Sequence, residues 1–467
     1  MVIYIIVLEV RNIEMSQENQ AQAKKIITRF PPSPTGFLHV GSARTALFNY
    51  IYAKQNGGEM LFRSEDTDRE RSKKEFEDEI LESLEWLGIE IDKEKIVRQS
   101  ERGETYKKYL EKMITDGTAY VSKEIAEKEG DRTEIIRFKN PNKKVVFNDT
   151  VRGDIEFDTT ELGDFVIAKS LTEPLYHLAV VVDDYEMGVT HIIRGDDGIS
   201  NTPRQILIQE AIGAPRPFYT HMPLSLAPDR SKLSKRHGAV SIREYRKMGY
   251  LPEAMINYLM LQGWNPGTDQ EIFSLDELIK EFDLTKIQKG GAIFDLVKLD
   301  WFNKEYIKKM SAQFFKEKVL EFLPEKLKKM REYSDQILEK ILPVLKERIN
   351  KFSDLEEMFE GGELEYYFKN PEYSEESLVW KSAEKQETIE HLNKIISIID
   401  NIDNFQSDEI KTALWDYATE KGRGNVLWPM RFALSGKDKS PDPFTLAEIL
   451  GKEKTNERLK IALEKLK

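Results

Sequence analysis

From Lys25 to Leu87 the chain alternates between strand and helix signals, and this alternation narrows the possible folds more than any other feature. Lys25-Ile-Ile-Thr-Arg-Phe30 reads as a strand, and Pro31-Pro-Ser-Pro-Thr-Gly36 as a turn-rich loop. A helix is expected from about Gly41 to Gln55. Ala43, Ala46, Leu47, Tyr50 and Ile51 form its apolar face, and Gly57-Gly58 ends it. Met60 to Arg63 reads as a second strand. Arg69 to Leu87 reads as a second helix, with Phe76, Ile80, Leu84 and Leu87 on one face. Strand, loop, helix, strand, helix opens an α/β fold. The pattern resumes later. Leu178–Val182 reads as a strand buried on both faces, Thr190–Ile193 as another, and Ser200-Asn-Thr-Pro203 as a helix start running to Gly213.

Residues 101–175 differ: a short helix (Tyr106, Tyr109, Leu110, Met113) leads into turn-broken, strand-like pieces around Ile135, Val145 and Ile155, the mark of an insertion. From Ser241 onward the chain reads as helical, with no useful strand pattern after Trp301. Residues 304–350 carry 12 Lys or Arg against 8 Asp or Glu. Residues 354–365 are acidic, and Gly361-Gly362 reads as a hinge. A length of 467 residues suggests about three domains. With 70 Lys plus Arg against 82 Asp plus Glu, the net charge of −12 excludes a wholly basic nucleic-acid binder, but not a local basic face. There is no cysteine, so neither a disulfide nor a Cys-based zinc site can form, and a reducing cytoplasm suits the chain. No segment is apolar enough for a transmembrane helix. Val2–Leu8 lacks a preceding basic region and is short for a signal-peptide core. Folded structure is therefore expected to begin near Lys24, after a poorly ordered extension over 1–23.

Two motifs carry chemistry. The first, Pro32-Ser-Pro-Thr-Gly-Phe-Leu-His39-Val-Gly41-Ser42, lies between a strand and a helix. A helix start offers unpaired N–H groups and a positive dipole end, which favour phosphate. Gly41 lets a nucleotide approach the backbone, and His39 can donate to a phosphate oxygen. The second, Lys232-Leu-Ser-Lys235-Arg236, places three cations within five residues, suited to charge developing on a departing pyrophosphate. Each alone has a plainer reading: a capping histidine in the first case, a solvated basic loop in the second. Neither a Walker loop nor a Gly-x-Gly-x-x-Gly fingerprint is present.

Together, and in this order, the two motifs resemble those of class I aminoacyl-tRNA synthetases. Arg29-Phe-Pro-Pro-Ser-Pro-Thr-Gly-Phe-Leu-His-Val-Gly-Ser-Ala-Arg-Thr-Ala-Leu-Phe-Asn49 is similar to the opening of the bacterial glutamyl-tRNA synthetases. Ser64-Glu-Asp-Thr-Asp68, Tyr176-His177, Val181-Val-Asp-Asp184, Ile193-Arg-Gly195, Ser200-Asn-Thr-Pro203, Lys232-Leu-Ser-Lys-Arg-His-Gly238 and Gly249-Tyr-Leu-Pro-Glu-Ala254 follow in that family's order. Near the end, Leu427-Trp-Pro-Met-Arg-Phe-Ala-Leu-Ser-Gly436 is similar to part of its second anticodon-binding bundle.

The resemblance implies a multidomain α/β plus α protein. A Rossmann-type parallel-sheet catalytic domain (24–100 and 176–240) is interrupted by an acceptor-stem-binding insertion (101–175). A stem-contact helical domain (241–303) and two helical anticodon-binding bundles (304–365 and 366–467) follow. It implies joining of L-glutamate to tRNA(Glu) through a glutamyl-adenylate, with ATP and Mg²⁺, by a cytoplasmic monomer that makes no membrane contact. Some relatives also charge tRNA(Gln). Arg29 would pair with the substrate's side-chain carboxylate, Ser33 and Glu65 would hold the ammonium group, Tyr176 would add a hydroxyl, and Arg194 would help anchor the substrate. His39, Lys232 and Lys235 would be catalytic. Gly41, Leu233, Ser234, Arg236 and Asp197 would join them around ATP. The local alternatives are a surface ion pair for Arg29, a helix cap for Glu65, and a core aromatic for Tyr176; Asp66 and Asp68 read as caps or supports. Three departures stand out. Ser42 replaces a His. Gly195-Asp-Asp-Gly198 replaces a more acidic run ending in a bulky residue, which takes away a wall on the expected adenine or ribose side. No Cys-based zinc site is available in the insertion. Rival readings are a glutaminyl enzyme, whose C-terminal region would be β-barrel, an inactive RNA-binding paralogue, a shorter tRNA-modifying relative lacking the C-terminal domains, and a small-molecule adenylyltransferase.

Overall fold

The computed structural model describes residues 25–124, 133–231, 233, 240–381 and 383–467. The expected extension over 1–23 lies outside the described residues. Strand β1 (Ile27–Phe30) leads through the Pro-rich loop into helix α1 (Val40–Gln55), strand β2 (Glu59–Ser64), helix α2 (Lys74–Trp86) and strand β3 (Val97–Arg98). The three strands are parallel, in the order β1-β2-β3, with Arg29 opposite Leu61 and Arg63 opposite Val97. α2 starts at Lys74, later than the expected Arg69. Asp68 instead holds the preceding turn, accepting from Arg71 N at 3.3 Å, while Asp66 ties that loop to Ser100 at 2.8 and 2.6 Å, so neither caps the helix.

The inserted region contributes helix α3 (Gly103–Thr115) and strands β4 (Ala119–Lys123), β5 (Glu134–Phe138), β6 (Lys144–Asp149), β7 (Gly153–Asp158), β8 (Phe165–Ser170) and β9 (Glu173–Pro174). β4, β5, β8 and β9 form an antiparallel sheet, whereas β6 and β7 join a different one. After helix α4 (Tyr176–Glu186) come β10 (His191–Gly195), helix α5 (Thr202–Ile212) and β11 (Phe218–Met222), and that sheet runs β10-β11-β6-β7. Thr190 N donates to Ile27 O at 2.9 Å, so β10 lies beside β1. The combined order 3-2-1-10-11 is doubly wound and reverses between β1 and β10. In such sheets the ligand crevice lies beyond the carboxyl ends of the strands at this reversal. One apolar core runs from Tyr106, Phe138 and Phe147 of the insertion to Leu178, Ile206 and Tyr219, so the insertion is held by packing continuous with the catalytic sheet.

Leu178–Val182, expected as a strand, is helical. The run is buried all round, and a short apolar run cannot be told from a fully buried helix by periodicity. The helix matters because it carries Asp183 and Asp184 inward.

The described residues after Trp301 contain helices and no strand. The chain divides into two compact units, Met1–Arg246 with Leu251–Phe302, and Lys247–Tyr250 with Asn303–Lys467. In the second, Gly361-Gly362 closes helix Asp354–Glu360, and Gly361 O accepts from Lys437 Nζ at 3.0 Å.

Asp183 is fully buried and accepts from Gln99 (2.8 Å), Tyr106 (2.9 Å) and Arg102 (2.7 Å). Removing one partner from a buried charge cluster leaves the others uncompensated, so Asp183→Ala should lower unfolding free energy by about 3–5 kcal/mol in urea titration. A loss below about 1 kcal/mol would show that water relieves the orphaned groups.

Candidate active site

Phe30 ends β1, and the loop after it turns back so that Pro32 O accepts from Glu65 N at 2.9 Å. Ser33, exposed on the same loop, is thereby held one residue from this backbone contact with Glu65. His39 is the N-cap of α1: Gly41 N donates to its Nδ1 at 3.2 Å. The capping reading of His39 is therefore correct, and it does not compete with a phosphate role. A neutral ring accepting at Nδ1 carries its proton on Nε2. Among the described residues, a Cβ on Gly41 would meet only the His39 ring, at 3.5 Å.

Arg29, Arg63, Glu65 and Asp184 form a buried ion network. Asp184 accepts from Arg29 Nε at 3.3 Å and from Arg63 Nη1 at 2.6 Å, and Arg63 Nη2 reaches Glu65 at 3.0 Å. Burial opposes the Asp184 charge, but Arg29 and Arg63 outweigh it and hold the carboxyl below its usual range. For Glu65 burial prevails over Arg63, and its carboxyl lies above the usual range. Arg194, at the end of β10, is 9% exposed. Tyr176, at the start of α4, is 46% exposed and so is not a core aromatic; the pKa of its hydroxyl is raised, by loss of solvation around the hydroxyl first, with Glu65, Arg194 and Arg29 all acting on it. These four expected substrate residues therefore surround one point at the β1/β10 reversal. Three guanidinium nitrogens of this cluster, Arg29 Nη1, Arg63 Nε and Arg194 Nη1, are buried without a hydrogen-bond partner among the described residues. A polar cavity of about 660 Å³, lined by Arg69, Gln99, Lys169, Thr172 and Tyr176, opens alongside.

The second motif is only partly described. Lys232, Ser234, Lys235 and Arg236 lie outside the described residues. Leu233 is buried, its N–H donating to Ser225 O at 3.2 Å. On the far side of the motif, Ser241 bridges His39, and Ile242 N donates to Leu38 O at 2.9 Å, so that flank returns to the start of α1. Asp197 is exposed on the turn after β10. Gly198 opens no space toward a nucleotide: a Cβ there would stand 2.6 Å from Arg194 Nε, because the Arg194 side chain fills that volume.

Sequence reasoning passed over Arg63, Asp184 and His221 as working residues. The signal was available: charged side chains inside apolar runs, as in Met60-Leu-Phe-Arg63, must be paired when buried.

The second unit holds an aromatic and cationic cavity of about 650 Å³. Arg423 lies 4.2 Å and Lys411 5.3 Å from the Trp415 ring, and the Trp380 and Trp428 centroids are 4.5 Å apart.

Against known protein families, residues 25–132 and 122–301 match tRNA synthetases class I (E and Q), catalytic domain, and residues 299–463 match an anticodon binding domain. The chain belongs to the class I tRNA synthetases of the E and Q family. Membership implies ATP as a substrate and a tRNA as acceptor. Among relatives of this synthetase, Glutamate--tRNA ligase 1 of Caldanaerobacter subterraneus is 39% identical over 476 residues, spanning 94% of this chain and 98% of the relative. Glutamate--tRNA ligase of Aquifex aeolicus is 40% identical over 480 residues, spanning 95% and 99%. A crystal structure of a glutamate tRNA ligase from Elizabethkingia meningosepticum, in complex with its amino acid, superposes with a TM-score of 0.84 at 34% identity, spanning 95% of this chain and all of that one.

Glu65→Gln tests the network's sign. A carboxyl whose folded pKa is raised gives stability present below the unfolded pKa of about 4.3 and lost as pH rises through the folded value. The variant should therefore be at least as stable as the parent at pH 7, with the difference closing toward pH 4, while glutamate use falls sharply. Clear destabilisation at pH 7 in thermal melts would mean that Arg63 fully compensates the charge.

Proposed function

We infer that this chain is a glutamate–tRNA ligase, which activates L-glutamate with ATP and transfers it to tRNA(Glu). The observation that carries this reading is the pair of buried, unpartnered guanidinium nitrogens of Arg29 and Arg194 beside the Glu65 carboxylate. An amino acid with two carboxylates and one ammonium group fits that charge pattern, with Arg29 taking the side-chain carboxylate in a forked pair. Ser33 and Glu65 hold the ammonium group, Tyr176 adds a hydroxyl, and Arg194 helps anchor the substrate.

The α-carboxylate of glutamate attacks the α-phosphorus of ATP, and the bond to pyrophosphate breaks. The terminal 2′-hydroxyl of the tRNA then attacks the adenylate carbonyl and releases AMP. No protein nucleophile is needed; positioning and charge stabilisation do the work. His39 and Gly41 face the phosphates from the start of α1. Lys235 neutralises the leaving pyrophosphate, Lys232, Leu233, Ser234 and Arg236 belong to the same ATP-binding motif, and Asp197 contributes to the nucleotide site. Mg²⁺ arrives with the triphosphate, held chiefly by phosphate oxygens and water.

Unstacked anticodon bases stack in the Trp415–Arg423 cavity. The enzyme works as a cytoplasmic monomer, and its tRNA track follows the inner side of the insertion and of helices within 304–350. The second unit, with no strand among its described residues, supports this reading over a glutaminyl enzyme with a β-barrel in that position.

ATP–pyrophosphate exchange with glutamate or glutamine, with and without purified tRNA(Glu) and tRNA(Gln), tests the assignment. Exchange with glutamate that depends on tRNA is expected; exchange with glutamine alone would refute it. Charging of tRNA(Gln) in the same assay would mark the broader tRNA choice. His39→Ala and Lys235→Ala should each lower activation about 10²–10³-fold at near-normal folding. Arg29→Ala should raise the glutamate KM about 10- to 100-fold. Trp415→Ala should weaken tRNA binding by about 1–3 kcal/mol and leave the ATP KM alone.

A further inference from the structure

Arg194 and His221 are register partners on the parallel strands β10 and β11. Arg194 Nε lies 3.1 Å from His221 Nε2 and donates to it, while Nη2 donates to Thr202 Oγ1 at 2.7 Å and to Gly198 O at 3.1 Å. Of the three, Nη1 alone is buried without a partner among the described residues. An imidazole that accepts at Nε2 must carry its proton at Nδ1. His221 Nδ1 lies 2.7 Å from Asp149 Oδ2, and that carboxylate can only accept, so the tautomer is set from behind the ring. Asp149 is itself fixed by backbone N–H groups of His221 (2.9 Å), Val151 (3.0 Å) and Arg152 (2.9 Å). Gly198 supplies the remaining condition, which is space. A Cβ there would stand 2.6 Å from Arg194 Nε and 2.8 Å from its Cδ, and its three nearest atoms all belong to that one side chain.

We propose that His221, oriented by Asp149, and Gly198 are positioning residues that fix the Arg194 guanidinium so that Nη1 is the donor left for a carboxylate of the amino-acid substrate. The proposal rests on the assignment of Arg194 to the glutamate site. Asp149 ends β6, a strand of the insertion, so the tautomer that orients a substrate arginine is dictated by the inserted segment and not by the doubly wound frame. Placement is the purpose of such support, since a displaced donor loses the charge-assisted hydrogen bond by which Arg194 would hold the substrate carboxylate.

Steady-state ATP–pyrophosphate exchange on the full chain with tRNA(Glu) tests it. Gly198→Ala is the deciding variant, because the three nearest atoms to the added methyl all belong to the Arg194 side chain, so the substitution displaces the guanidinium; a thermal melt checks that the fold survives. The glutamate KM should rise between about tenfold and a hundredfold while kcat and the ATP KM stay within about twofold. His221→Leu should act in the same direction, and His221→Gln, whose amide oxygen can accept from Arg194, should recover part of the loss. An unchanged or lowered glutamate KM in Gly198→Ala, or equal rises in the glutamate and ATP KM values, overturns the proposal. Arg194→Ala separates the two levels of the argument. If it leaves the glutamate KM unchanged, the substrate assignment falls and the positioning role with it. If it raises that KM while Gly198→Ala and His221→Leu do not, only the positioning role is lost.

Discussion

Asp184 sits fully inside the catalytic unit, on helix Tyr176–Glu186, between the guanidinium groups of Arg29 and Arg63. A lone carboxylate at that depth would be prohibitively costly; two arginines make it tolerable, and the carboxylate in turn makes two buried arginines tolerable. The network reaches Glu65 through Arg63, so residues from two neighbouring strands and one helix are locked into a single electrostatic unit. Packing alone would leave long arginine side chains many rotamers. The shared carboxylate reduces these to one and fixes where Arg29 presents its remaining donor.

A buried ion network of this kind is weak as a source of stability, because desolvation consumes most of the Coulomb gain. Its opposite effects on two carboxyls make the point: Asp184 is held below its usual range and Glu65 above it, although both touch Arg63. Arg29 and Arg63 act on both carboxyls, but burial prevails at Glu65 and the two arginines prevail at Asp184. The site is thus left short of positive partners at Glu65 and short of negative partners at Arg29 and Arg194. Strain of this sort persists where a ligand relieves it, and here the ligand would be a zwitterion with an extra carboxylate.

The alternation of strands and helices around Arg29 and His39 was legible because loop residues punctuate it: the Pro-rich turn before His39, Gly57-Gly58 after the first helix, and the left-handed Gly213 after the helix that Pro203 opens. Leu178–Val182 was misread because burial on all sides erases period in either element, and only the topology decides between them. The residues lining the crevice could be named from motif similarity, but the way they are held could not. The Arg63–Asp184 contact spans 121 residues and the His221–Asp149 contact 72, distances over which no local pattern speaks. Gly198 shows the limit most plainly. In the sequence it is a missing wall, and in the structure it is the space that Arg194 occupies.

The physical cost of choosing the wrong amino acid follows from the same geometry. Glutamine is nearly isosteric with glutamate, so shape discriminates weakly between them. On the proposed assignment its neutral amide would place an N–H₂ donor where Arg29 also presents a donor. A site built around a charged partner rejects the neutral analogue because its own buried charge is then left unpaired. That penalty holds only while Arg29 cannot swing away to find water or another carboxylate. Asp184 prevents this by holding Nε from inside the protein. On that assignment, the specificity of the crevice would depend on a carboxylate placed behind the residue that meets the substrate's side chain.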